Sequence, residues 1–180
     1  MATKQKILWI TQTATFVAML VVIQMVTAPL GNTFITGSIV NLILIISVLT
    51  SQLSSGISIA AISPIIAKFF GVGGAFWSLV PFIIIANVIL VSLWYLICHR
   101  NTENKLAIYL LATFVGASAK FLILYLGIVK IAIPIILDLP EKQAALLSNV
   151  FSIPQFFTAL IGGIIVTFLL PTIKKALSRK

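Results

Sequence analysis

Long apolar stretches separated by short polar connections are the feature that most limits how this chain can fold. Six can be drawn over its 180 residues, and each is long enough, or nearly so, for a hydrocarbon core about 30 Å thick. The third is short and contains Pro64, which predicts a kink or an incomplete span. The six segments are Ile7–Thr27, Ser38–Leu53, Ile57–Phe70, Trp77–Cys98, Leu106–Ile128 and Val150–Leu170.

The composition excludes a soluble domain. Hydrophobic residues make up 61% of the chain and charged residues only 8%, which is too little polar surface to cover a water-soluble protein of this size. The prediction is an all-α integral membrane protein, with a single membrane domain of six transmembrane helices over residues 1–180.

The net charge of +9 is concentrated at one end of the alternating segments. Lys142 lies at the opposite end, beside Asp138 and Glu141. By the positive-inside rule the basic end is cytoplasmic, so both termini are predicted in the cytoplasm and the protein in the plasma membrane. The charge then reflects topology and requires no nucleic-acid partner. The basic residues at the cytoplasmic end are Lys4, Lys6, Arg100, Lys105, Lys174, Lys175, Arg179 and Lys180.

Lys120 lies deep inside the fifth segment, where an ammonium group is costly. A lysine at the centre of a transmembrane helix costs roughly 2.5–3.5 kcal/mol, so it usually faces a cavity, a partner or a ligand. At 1.5 Å per residue, Lys120 lies roughly 21 Å along a helix that begins at Leu106, in the outer half of the bilayer. The alternative is that its side chain extends to the outer headgroups.

Three other polar side chains lie at a similar depth on other segments. Asn41, Asn87 and Gln155 come from the second, fourth and sixth segments, and with Lys120 they predict a small-molecule pocket. Their similar depth in the bilayer does not determine whether these side chains face one another. The alternative for each amide is an interhelical hydrogen bond, typically worth about 0.6 kcal/mol in membranes.

Two aromatic residues near the outer surface are further candidates for ligand contact. The outer connection Ala28–Gly37 contains Phe34 and is predicted to form a short ordered lid. Trp77 begins the fourth segment, and with Phe34 it could form a wall for a flat ligand. A tryptophan at that position is also typical of the interfacial aromatic belt.

Several kinds of chemistry lack their usual residues. The sequence contains no G-x-x-x-x-G-K-[ST] motif for ATP, and its acidic residues Glu103, Asp138 and Glu141 all lie in connections. Coupling to protons or sodium ions through a buried carboxylate therefore lacks its ligand. The single histidine, His99, has no cluster that would bind a metal. No catalytic residues and no metal site are predicted, and the chain is not expected to be an enzyme.

Short motifs give the chain a family resemblance. The first segment contains Ala14-Thr15-Phe16-Val17-Ala18, where small residues four apart allow another helix to approach closely. The run Thr36-Gly37-Ser38-Ile39-Val40-Asn41 is followed by Gly56, Pro64, Pro81 and Asn87. With six spans and both termini inside, these motifs resemble the S component of an energy-coupling factor (ECF) vitamin transporter over essentially the whole chain.

The resemblance implies a partner-dependent importer in the lipid bilayer. Such S components bind a vitamin or related micronutrient near the outer face, with a lid in the first outer loop. They dock through the surface that corresponds to Ala14 and Ala18 onto an ECF transmembrane coupling subunit that carries two ATPase subunits. No cofactor is expected in this chain, since the partners would use the ATP.

The lone cation Lys120 favours a small organic anion as the substrate, because a charge in a low-dielectric site must be neutralised. Pantothenate, nicotinate or a biotin-like acid would suit. The sequence leaves the substrate and the partner module unnamed. Two alternatives stay open, a self-sufficient small transporter and a structural membrane subunit.

Overall fold

The computed structural model describes residues 2–72, 76–99 and 105–177. It is 91% helical, and no strand occurs within those ranges. Two 3-10 turns, Ala28–Leu30 and Trp77–Leu79, precede helices, and a π-helical stretch, Tyr125–Leu137, continues the fifth helix. The α-helices are α1 (Ala2–Thr27), α2 (Thr33–Thr50), α3 (Leu53–Phe69), α4 (Val80–Cys98), α5 (Lys105–Leu124), α6 (Glu141–Val150) and α7 (Ile153–Leu177).

Five of these helical stretches are long and apolar enough to cross a membrane. They contain α1, α2, α4, α5 and α7, and they confirm the prediction of an all-helical chain with several candidate membrane spans. The remaining predicted span corresponds to α3, which has 17 residues and contains Pro64. It is apolar but short, as its sequence indicated.

The connection predicted as a lid is largely helical. Gly31, at φ 61°, ends the first 3-10 turn and donates its N–H to Ala28 O. The side chain of Asn32 then caps α2, because its Oδ1 accepts from Phe34 N at 3.0 Å and from Ile35 N at 3.4 Å. An asparagine at this position satisfies amides that the first helical turn leaves free. As a result α2 begins at Thr33, five residues before the predicted start.

The fifth helix also extends beyond its predicted end. It continues as a π-helix through Pro134 to Leu137, although a proline removes one backbone hydrogen bond within a helix. Asp138 ends it in the left-handed region at φ 40°, and after Pro140 the chain forms α6. Most of the segment between the predicted fifth and sixth spans is therefore helical. The last helix is longer than predicted too, and continues to Leu177.

α2 is at the centre of the bundle. It packs against α1, α3, α4 and α7, while α5 packs between α4 and α7. Small residues permit the closest of these approaches. A Cβ atom at Gly162 of α7 would lie 2.9 Å from Ser38 O and Leu42 N of α2, and one at Gly163 would lie 2.7 Å from Thr113 Cγ2 of α5. These contacts fix the rotation of α2, α5 and α7 about their axes.

The buried apolar residues form two clusters along the bundle. One includes Leu44, Leu90 and Trp94, and the other includes Leu124 and Phe151 at the end of the bundle that carries α6. We call this the α6 end. On α4, Asn87 lies between these clusters, since its neighbour Ala86 belongs to the second and Leu90 to the first. A polar layer therefore separates them.

Candidate functional site

Lys120 is the centre of this polar layer. Its Nζ donates hydrogen bonds to Asn41 Oδ1 at 2.6 Å and to Asn87 Oδ1 at 2.7 Å. The residue is only 4% exposed, so its side chain points into the bundle and does not extend to the bilayer surface. Distances this short are typical of charge-assisted hydrogen bonds.

Four helices position this network. Asn41 belongs to α2, Asn87 to α4 and Lys120 to α5. Asn41 also donates from Nδ2 to Thr158 Oγ1 of α7, at 3.4 Å. The close packing of α2 and α7 near Gly162 brings Asn41 and Thr158 together. The sequence predicted that these polar residues lie at a similar depth in the bilayer. The packing of the helices turns their side chains towards each other.

Lys120 lines a cavity of about 100 Å³, measured as the space open to the centre of a water molecule. We call this space the inner cavity. Since one water needs about 10–15 Å³ on that measure, it has room for several waters or for part of a small organic molecule. Its polar lining comprises Gln24, Thr33, Thr36, Asn41, Ser63, Lys68, Asn87, Lys120 and Gln155. Its apolar lining includes Val40, Pro64, Ala67, Val72, Phe76, Val80, Ile83, Val150 and Phe151.

The charge of the inner cavity is positive. Both Lys120 and Lys68 line it, and no carboxylate side chain is among the described residues of its wall. Lys68 lies near the end of α3, with its Nζ 5.9 Å from the ring centroid of Trp77. An anion in this space would meet ammonium groups, amide donors and apolar walls.

Gln155, the fourth predicted polar residue, also lines the inner cavity. Its Nε2 donates to Val150 O at 3.2 Å, which ties the start of α7 to the end of α6. Gln155 thus contributes to the wall of the cavity, while its nitrogen holds the turn between these two helices.

Phe34 and Trp77 lie outside the inner cavity. Phe34 is on the first turn of α2 and is 44% exposed, whereas Thr33, Thr36 and Gly37 of the same helix line the cavity. Trp77 is 55% exposed and packs edge-on against Phe69, with 5.7 Å between ring centroids. The structure therefore does not bring either aromatic ring to the polar network.

Five polar residues of the wall were not predicted from the sequence as site residues, namely Gln24, Thr33, Thr36, Ser63 and Lys68. Gln24, in an otherwise apolar part of α1, is 1% exposed, and Ser63 of α3 is also buried. Lys68, near the end of α3, lines the cavity as well. Gln24 could have been identified from the sequence, since it is an amide in the apolar half of the first segment and large polar groups inside a membrane span are rare.

A second cavity adjoins the first at the α6 end. It measures about 260 Å³ in the same way, and Gly31, Asn32, Gly71, Leu146 and Leu147 contribute to its wall. Both cavities are lined by Thr33, Thr36, Val72, Val150 and Phe151. This outer cavity is bordered by α6 and by the connection between α1 and α2, and Lys120 lines only the inner cavity.

The predicted docking residues lie on the side of α1 that faces away from the bundle. Ala14 and Ala18 are exposed, and α1 packs through its other side against α2 and α3. That packed side carries the buried residues Thr13, Leu20 and Gln24. The small side chains of Ala14 and Ala18 are therefore on the surface of the bundle.

No group of three or more histidine, cysteine, aspartate or glutamate residues is close enough to hold a metal ion within the described ranges. Comparisons with protein-family models, with curated proteins and with solved structures found no significant match. The functional assignment therefore depends on the geometry of this site and on the sequence motifs.

Proposed function

We propose that this protein binds a small organic anion in the inner cavity and acts as the substrate-binding S component of an ECF-type importer. The observation that carries the proposal is the buried ammonium of Lys120, held by Asn41 and Asn87 at the wall of a cavity. Vitamins and related micronutrients that carry a carboxylate or phosphate are the proposed substrates.

The argument for an anion starts from the partners of Lys120. Two amide oxygens stabilise the ammonium, but they carry no net charge and cannot neutralise it. A charge removed from water is strongly disfavoured unless it is paired. An anionic group that enters the cavity would supply the missing charge, and the third N–H of Lys120 is available for it.

The exposed face of α1 supports a function in which this chain binds the substrate and partner subunits use ATP. The chain has no P-loop, so energy for uptake would come from two ATPase subunits held by a membrane coupling subunit. Ala14 and Ala18 lie exposed on α1, where a helix of that subunit could pack closely. Termini in the cytoplasm and a location in the plasma membrane are part of this proposal.

The first experiment is mass spectrometry of small molecules released from gently purified protein. We expect one organic anion to be enriched with the wild type and lost with Lys120→Ala. Lys130→Ala is the matched control, since Lys130 is exposed and its Nζ lies 5.5 Å from the ring centroid of Tyr125. An anion retained equally by all three proteins would exclude Lys120 as its binding group.

A structural subunit is the second candidate, because the same hydrogen bonds join α2, α4 and α5. In that case Lys120→Ala would lower the melting temperature, and no compound from a panel of pantothenate, nicotinate, biotin and related acids would raise that of the wild type. Stabilisation of the wild type by one of these acids, absent in Lys120→Ala, would instead support the binding function.

A further inference from the structure

Gln24 of α1 has a hydrogen-bonding capacity that the protein itself does not use. Its Nε2 donates to Ser63 O and to Ser63 Oγ, both at 3.3 Å. Its Oε1 is buried and has no hydrogen-bond partner among the described residues. Gln24 also lines the inner cavity together with Lys120.

The orientation of this amide follows from its partner. Ser63 O is a backbone carbonyl, which can only accept, so the NH₂ end of Gln24 must face α3. The oxygen is then the end left without a partner. Because buried polar groups are nearly always hydrogen-bonded, an orphaned acceptor of this kind requires an explanation. Oε1 itself has almost no open surface, but Gln24 lines the inner cavity. A guest with an N–H or O–H donor would satisfy the oxygen once the Gln24 side chain shifts slightly towards the cavity.

Gln24 differs in this respect from the two asparagines of the network. The oxygens of Asn41 and Asn87 already accept from Lys120. Lys120 and Lys68, which share the wall, offer only donors. A ligand that presents only acceptors would match the lysines but would leave Gln24 Oε1 unsatisfied.

From these contacts we infer that Gln24 is a specificity-determining residue that accepts a hydrogen bond from the bound anion. The substrate class is narrowed to organic anions that also carry a hydroxyl or amide N–H, in preference to plain carboxylates. The anionic group meets Lys120, and the donor group meets Gln24 from the same cavity. This inference rests on the proposed function, since it assumes that an anion occupies the cavity.

The test compares two series of probes on purified protein. One series is the unbranched alkanoates from butanoate to octanoate, and the other is the matching acids with a terminal hydroxyl. Isothermal titration with wild type should show that at least one hydroxy acid binds about fivefold or more tightly than its alkanoate, as expected for one net hydrogen bond. In Gln24→Met, which is similar in size but has no amide, the preference should disappear.

The outcomes separate this inference from the function on which it rests. Alkanoates that bind only when Lys120 is present, with no hydroxyl preference at any chain length, would overturn the role of Gln24 and leave the anion site standing. A hydroxyl preference that persists in Gln24→Met would also overturn it. Failure of both series to bind the wild type would overturn both proposals. If Gln24→Met does not fold, Gln24→Leu takes its place, and the absence of a hydroxyl preference in the wild type would overturn the role of Gln24 by itself.

Discussion

At the scale of single residues, Lys120 is held by two amide oxygens and by no carboxylate among the described residues. Asn41 and Asn87 each give Lys120 one short hydrogen bond, which stabilises the ammonium but leaves its charge in place. An ion pair inside the protein would already have neutralised that charge. The amide partners therefore suit a site in which a ligand completes the neutralisation.

The charge argument predicts the effect of Lys120→Ala on affinity. We expect binding of the cognate anion to weaken by about 2–5 kcal/mol, as when one member of a buried charge pair is truncated. Isothermal titration would measure the change. Lys130→Ala should bind as the wild type does, and an equal loss in both variants would point to a general effect of surface charge.

Asn87→Asp tests the role of the Lys120 charge by neutralising it within the protein. The new carboxylate would stand where Asn87 Oδ1 now lies, 2.7 Å from Lys120 Nζ, and would neutralise the ammonium within the protein. Anion affinity should then fall at least tenfold, about 1.4 kcal/mol, while the melting temperature is kept or raised. Unchanged affinity would show that the charge of Lys120 does not attract the ligand.

At the scale of elements, the site depends on how closely the helices approach one another. Gly162 of α7 lies against the backbone of α2 at Ser38 and Leu42, one turn from the contact between Asn41 and Thr158. A larger residue would push α2 away from α7. The position of Asn41 beside Lys120 is thus set by a glycine that has no polar role.

Gly162→Ala should therefore destabilise the protein. Its Cβ would lie 2.9 Å from backbone atoms of α2, which cannot move as a side chain can, and overpacking of this kind costs about 1–3 kcal/mol. Thermal unfolding in detergent would measure the loss. Thr172→Ala, at an exposed position of the same helix, should change little, and equal stability of both variants would contradict the packing argument.

The exposed side of α1 gives a second prediction for an element. Ala14→Arg combined with Ala18→Arg should prevent co-purification with the proposed coupling subunit, because two long charged side chains would replace two small ones on the exposed face of α1. Ligand binding should persist, since neither alanine lines the inner cavity.

Ala145→Arg is the control for this experiment, as Ala145 is an exposed alanine of α6. Loss of the coupling subunit in this control would mean that docking is not confined to α1. Loss of both assembly and ligand binding in the double variant would mean that α1 is needed for the fold itself.

At the scale of the whole molecule, the inner and outer cavities adjoin each other towards the α6 end. They share part of their lining at Thr36, Val150 and Phe151. On the described part of the chain, the opposite side of the polar layer is filled by the apolar cluster that includes Leu44, Leu90 and Trp94. Cavities therefore lie on the α6 side of Lys120, and packed apolar side chains lie on its other side.

This arrangement predicts binding without transport by the isolated chain. Liposomes that contain the protein alone should bind the cognate anion but should not accumulate it, because the packed cluster blocks the way past Lys120. Under the proposed function, uptake should require the proposed coupling subunit, two ATPase subunits and ATP. Accumulation by the chain alone would instead favour a self-sufficient transporter.

The sequence by itself determined the membrane class, most of the helical segments and the unusual position of Lys120. These properties are local, since segment length, apolarity and a charge inside an apolar run can be recognised without knowing what packs nearby. Segment ends were less predictable. Asn32 caps α2 early and Pro134 lies within a π-helix, so hydrogen bonding of the backbone shifted these boundaries.

Only the tertiary structure decided which residues meet. Depth along a helix leaves its rotation free, and rotation determines whether a side chain faces a cavity, a neighbouring helix or lipid. Close approaches at Gly162 and Gly163 fix that rotation. They bring Asn41 to Lys120. Phe34 and Trp77 remain outside the cavity, whereas Gln24 lies in its wall. The reason is that the packing of each helix is set by the whole bundle and not by any one segment.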